Sequence, residues 1–219
     1  MRSLLTATIV LCIILIAVWY FLLETWAGLG TTTPFRSNVD GQTYLVHSGH
    51  SDLGDASDTL AVLNLRTIEL LRNLKKKYGG GEKGVGTRRQ VAVGLIREKY
   101  NPDAISENSP IDGNGDTSYT INKGEQLTLC IRDASGDRRF GIQDINTLTF
   151  VTIHELAHIG TRPEADAHSR TFWSTFKFLL QEASDSGIYD PVDYSQRPVK
   201  YCGIGVNYNP LYDTSVTSL

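Results

Sequence analysis

The stretch HELAHIGTRPEADAHSRTFW, residues 154–173, holds three of the chain's five histidines. It opens with HExxH. On a helix, residues i and i+4 share a face, so His154 and His158 can hold one Zn2+ at about 2.0–2.1 Å, with Glu155 beside the metal's water. Zinc brings that water's pKa toward about 7, Glu155 takes the proton as general base, and the hydroxide attacks a carbonyl. That is peptide-bond hydrolysis without a covalent intermediate. A catalytic zinc site takes three protein ligands and leaves the fourth position to water, so one ligand is still to be found. Glu164 stands at the metzincin spacing from His158, Asp166 follows it, and His168 opens the next helix, where Phe172 and Trp173 would pack into the core and fix its position.

The chemistry depends on the elements around it. Asp144 is a good N-cap for INTLTFVTIHELAHI, and Gly160 ends that helix and lets the chain turn back. A further helix is expected over residues 169–183, with Phe172, Trp173, Phe176, Leu179 and Leu180 as its apolar stripe and Gly187 after it. Upstream, residues 117–122 and 126–133 read as a hairpin joined by Lys123-Gly124-Glu125. If Leu127 to Arg132 is a sheet edge, its free backbone groups could take a peptide substrate as an added strand. Leucines and isoleucines recur at helical spacing from Leu60 to Leu74, with Asp58 as a plausible cap and Gly79 as a stop, and a shorter helix is expected over residues 88–99. Residues 101–115 read as loop and residues 26–56 as a linker with one short strand at 43–47. The expected division is an anchor at 1–25, this linker, a domain at 57–205 and a tail at 206–219.

HELAHIG followed by HSRTFW resembles the WLM/SprT-like minimal zincins, in which an HELxH helix is followed by a third His and an FW pair opening the next helix. Together with NKGEQLTLCIRD and GIYDPVDYSQRPVKYCG, the set looks more closely like uncharacterised WLM-like metallopeptidases of large DNA viruses, several with an N-terminal membrane segment. The resemblance covers roughly residues 100–205. It implies an α+β zincin-like metallopeptidase domain, a small antiparallel or mixed sheet packed on the HExxH helix and its supporting helices. His154, His158 and His168 would be zinc ligands and Glu155 the catalytic base. The segment IGTRPEADA is longer than the usual WLM spacing, which keeps Glu164 in contention.

Residues 4–23 carry no charge, Gly or Pro, and at 1.5 Å per residue such a run spans about 30 Å, the thickness of a bilayer's hydrocarbon. It reads as a transmembrane helix, with Trp19, Tyr20 and Trp26 at its far end and Arg2 on the near side. That asymmetry puts the N-terminus in the cytosol and the domain on the non-cytosolic side of a host or virion membrane; a cleaved signal peptide is the rival. A net charge of -3 gives no global attraction to nucleic acid, so none is expected as a partner. The basic run Arg72, Lys75, Lys76, Lys77, Lys83, Arg88 and Arg89 reads as a solvated face. Three cysteines are too few for a disulfide framework, although Cys130 and Cys202 could form one bridge. The expected activity is therefore that of a membrane-anchored zinc metallopeptidase acting on a peptide or protein substrate. The alternative is a non-catalytic zinc-binding membrane or virion structural protein, in which Glu155 would have no task.

Overall fold

The computed structural model describes residues 11–16, 18–19, 32–79, 86–108, 117–132, 141–162 and 168–219. A five-stranded mixed sheet is built from β1 (Thr32–Arg36), β2 (Thr43–His47), β3 (Ile105–Asn108), β4 (Tyr119–Ile121) and β5 (Gln126–Cys130), in the order β1-β2-β3-β5-β4. The outer pairs are antiparallel, whereas β3 runs parallel to both β2 and β5. Besides the described part of the N-terminal apolar run, the described residues form the helices α1 (Leu53–Tyr78) and α2 (Arg88–Lys99) between β2 and β3, and α3 (Ile145–Gly160) and α4 (Arg170–Asp185) after β5. A small hairpin of β6 (Val199–Tyr201) and β7 (Ile204–Val206) comes after them. The fold is mixed α+β, as the residue pattern indicated.

α1 lies on the sheet through β1, β2 and β3, and α3 packs against α1, α2 and α4. Leu60, Leu63, Leu70 and Leu74 of α1 are at most 1% exposed; full burial of a Leu contributes about 1.5–3 kcal/mol. These residues lie along one stripe, and their side chains join Ile153 and Leu156 of α3 and Leu179 of α4 in a single core. α3 is buried on nearly every side, so it is a central helix held by neighbours rather than an amphipathic one with a wet face.

Residues 26–56 are more than a linker. Within them β1 and β2 pair over five residues each, and α1 starts at Leu53. Asp58, expected as a cap, stands inside the helix and fastens the β1–β2 turn. Its Oδ1 accepts from Ser37 Oγ and from the Asn38 amide, both at 2.7 Å. Residues 206–219 are likewise part of the body: Asn209 and Pro210 are buried, and Asn209 Nδ2 donates to the Val192 carbonyl at 2.8 Å. Part of the stretch expected as loop, Ile105–Asn108, is instead β3, the middle strand. Its Glu107, 2% exposed, accepts from Arg132 Nε at 2.6 Å and from the His47 amide at 2.7 Å. Arg132 also donates from Nη1 to Asp52 at 2.7 Å. This buried cluster ties β2, β3, the end of β5 and the start of α1 together.

The described part of the N-terminal apolar run, residues 11–16 and 18–19, is helical and its side chains are exposed. No helix among the described residues is long and apolar enough to cross a membrane. Most of the expected span, 4–23, lies outside the described residues, as does Lys83 of the basic run.

Candidate metal centre

α3 begins where Asp144 Oδ2 accepts from the Thr147 amide at 2.9 Å, an N-cap of the expected kind. Its last two turns carry His154, Glu155 and His158. Gly160 does close the helix, but its backbone keeps a negative φ and Thr161 is the C-cap. The reason for a glycine there is packing: a Cβ would come within 2.9 Å of Ile96 Cδ1 and 3.3 Å of Thr175 Cγ2. Gly160 therefore lets α2 and α4 approach α3 at the end that bears the histidines.

α4 is capped by Ser169, whose Oγ accepts from the Phe172 amide at 3.3 Å. His168 immediately precedes this cap with φ +58, a left-handed conformation that few side chains adopt. Its ring stacks on Trp173 at 5.8 Å and meets the edge of Phe172 at 4.8 Å. Held in this way, His168 Nε2 lies 3.1 Å from His154 Nε2, while His158 Nε2 lies 3.2 Å from the same atom. All three ligand atoms fall within 4.8 Å of one another. Two ligands at tetrahedral zinc distances are about 3.3 Å apart, so the spacing suits one such ion. Glu164 and Asp166, the rival third ligands, lie outside the described residues.

Burial pushes the His154 imidazole down to about 3 and that of His158 to about 4, with the neighbouring histidines adding to the shift. Both rings are thus neutral at pH 7, the form whose lone pair ligates a metal. Phe172 and Phe176 surround His154, with ring centroids at 4.9 and 5.1 Å, and supply much of that apolar environment. Among the described residues no second cluster of this kind occurs. His47 and His50 do stand with ring centroids 5.0 Å apart.

The three histidines and Glu155 open on a cleft of about 740 Å³. Its lining includes Thr117 to Thr120 and Lys123, Trp173, and Ile204 to Tyr208. Glu155 itself is 5% exposed. Strand β5 is not the edge: it sits between β3 and β4, and Leu127 to Cys130 are buried. The strand that borders the cleft is β4, which among the described residues pairs on one side only. Gly124, in the turn between them, has φ +119, and a Cβ there would come within 2.8 Å of the Lys99 carbonyl oxygen. Glycine is thus what lets this turn, and Lys123 with it, sit close under α2.

Cys202 is not available as a ligand, because it forms a disulfide with Cys130 across a sequence separation of 72 residues. The bridge fastens the β6–β7 turn, where Cys202 and Gly203 both have positive φ, to β5. Tyr201, just before it, lines the cleft, with its hydroxyl 2.5 Å from Ser118 Oγ. Ser118 Oγ in turn accepts from the Cys130 amide at 2.9 Å. Burial, with a further push from the Glu155 carboxylate, raises the phenol's pKa and keeps it protonated. Sequence reasoning missed Ser118, Val206 and Tyr208 as cleft residues. No motif marks them, since the folded hairpins alone bring them to the histidines.

No family model and no solved structure matches the chain. It is similar to an uncharacterised protein of Acanthamoeba polyphaga mimivirus, 29% identical over 211 residues that cover 94% of this chain and 98% of that one. A shorter likeness, 46% over 77 residues, links it to an uncharacterised protein of Invertebrate iridescent virus 6, covering 35% of this chain and 40% of the relative. A protein of Invertebrate iridescent virus 3 is 42% identical over 74 residues, 34% of this chain and 43% of the relative. The relatives are thus uncharacterised proteins of large DNA viruses.

Proposed function

We propose that the chain is a membrane-anchored zinc metallopeptidase of the WLM/SprT-like minimal zincin type, in which His154, His158 and His168 hold Zn2+ and Glu155 is the general base. The observation that carries this reading is the convergence of three imidazole Nε2 atoms from two helix ends beside a carboxylate, at the bottom of an open cleft. When bound, zinc would supply a Lewis acid for a peptide carbonyl and acidify a water. Glu155 would accept that water's proton and return it to the leaving amine; its low exposure keeps bulk water from competing. The outer side of β4, unpaired among the described residues, would hold the substrate backbone as an added strand.

The non-catalytic structural alternative fits less well. Structural zinc sites are closed by four protein ligands, whereas three gather here among the described residues, with Glu155 beside them. Residues 4–23 would be the anchor, with the domain on the non-cytosolic side. The Cys130–Cys202 disulfide suits such an oxidising compartment.

The test is hydrolysis of a mixed peptide library by the zinc-loaded full-length protein in detergent, read by mass spectrometry. Glu155→Gln should lower kcat by about 10²–10⁴-fold. Cleavage that persists undiminished in this variant would remove Glu155 as the base and the reading with it.

A further inference from the structure

The lining of the cleft falls into two unlike sets of residues. β4 and the residues flanking it contribute Thr117, Ser118, Tyr119, Thr120 and Lys123, and the end of α3 contributes Thr161. A second set of lining residues, Phe150, Val151, Trp173, Phe176, Val206 and Tyr208, carries no charge. Four of these side chains form a connected row of rings: Phe150 meets Phe176 at 5.1 Å, and Trp173 meets Tyr208 edge-on at 5.1 Å and Phe176 at 6.3 Å. Phe150 and Val151 lie one turn before His154 and Glu155 on α3, so this surface begins directly beside the reacting groups. Tyr208 and Ile204, 36% and 51% exposed, continue it to the mouth.

We infer that this apolar part of the lining selects peptide substrates with a large apolar or aromatic side chain next to the scissile bond. The inference rests on the peptidase reading and names the substrate class for it. Exposed aromatic surface at the mouth of a cavity is stabilised when covered by apolar groups. A charged side chain entering the same place would lose its hydration with no partner to replace it. The occupant is an extended peptide rather than a small apolar molecule, because the same cleft is bordered by β4, whose outer side is unpaired among the described residues and could take a peptide backbone. The wall formed by Val206 and Tyr208 keeps its place because Cys202 ties the hairpin to β5 and because the Tyr208 hydroxyl donates to Asp213 Oδ2 at 2.8 Å.

The experiment uses full-length zinc-loaded protein and two otherwise identical octapeptide series, varied at each residue flanking the cleaved bond. Phe, Leu or Trp at one flanking position should raise kcat/KM by about 100-fold over Asp or Lys there. Val206→Glu, which places a carboxylate in the wall, should erase that preference and favour Lys. In parallel, zinc-loaded Glu155→Gln is titrated with fluorescein-labelled Phe-centred and Asp-centred peptides and binding is read by anisotropy. Cleavage with no preference among apolar, acidic and basic residues would overturn the inference and leave the peptidase reading standing. No cleavage, with the Phe-centred peptide still bound at least 10-fold more tightly, would overturn the peptidase reading and leave the apolar selectivity standing. Equal binding of both peptides, or none, would overturn the inference in either case.

Discussion

Replacing Arg132 by Met should be among the most damaging single changes outside the core. Arg132 and Glu107 have side chains 1% and 0% exposed and meet at 2.6 Å, and Arg132 also reaches Asp52 at 2.7 Å. Met fills similar volume, so the loss is electrostatic. Glu107 keeps the His47 amide but loses the cation that offsets its burial. Breaking a buried pair from one side costs about 3–5 kcal/mol. With a urea slope of about 2 kcal/mol/M, the midpoint should fall by about 1.5–2.5 M. Urea unfolding followed by circular dichroism at pH 7 reads this directly. Arg132→Met/Glu107→Gln should recover part of the loss, because the buried charge goes with its partner. A single variant within about 1 kcal/mol of wild type would refute the view that this cluster locks β3 between β2 and β5.

Three other outcomes are open to measurement. Asp58→Ala should cost about 1 kcal/mol at pH 7 by removing the acceptor of Ser37 and Asn38. The Ser37 hydrogen bond, with those from Asn38, holds this carboxyl below its ordinary value despite a smaller opposing push from burial. Its stabilisation is therefore complete above the unfolded pKa of about 3.9 and lost as pH falls through the depressed folded value, so in parallel melts the gap between wild type and variant should be full at pH 7 and shrink progressively as the pH is lowered below about 3.9. Cys130→Ser/Cys202→Ser should lose about 4 kcal/mol for a closed loop of this length, given the separation of 72 residues. Because the bridge anchors a cleft wall, peptide KM should rise at denaturant concentrations where the fold persists. Gly124→Ala should destabilise by about 1–3 kcal/mol, since φ is +119 and the new Cβ would press on the Lys99 carbonyl; thermal melts check it, and no change would mean that the turn is free to shift.

The helices that carry the chemistry were legible because local signals agree with one another. Asp144 caps where expected, HExxH sits at helical spacing, and Phe172 with Trp173 opens the amphipathic stripe of the helix expected over 169–183. The hairpin of β4 and β5 was legible from Gly124 and the alternating residues around it. β3 was not, because its Ser106, Glu107 and Asn108 read as loop residues. They become strand residues only once Arg132, the His47 amide and Thr128 satisfy them. β1 was hidden for a related reason: Pro34 argues against a strand, yet β1 is an edge, where a missing amide donor is tolerated. Within the site, the three histidines could be named from spacing and resemblance. The left-handed turn at His168 and the wall of Val206 and Tyr208 depend on contacts between segments distant in sequence.

The central claim is that His154, His158 and His168 form one zinc site with Glu155 beside it. Metal content of purified full-length protein, measured by mass spectrometry with excess zinc removed, tests it most directly. The expected result is close to one zinc per chain in wild type, Glu155→Gln and Glu164→Ala, and little in His154→Ala, His158→Ala or His168→Ala. Wild-type protein that folds but retains no zinc, or His168→Ala that holds it as tightly as wild type, would contradict the account.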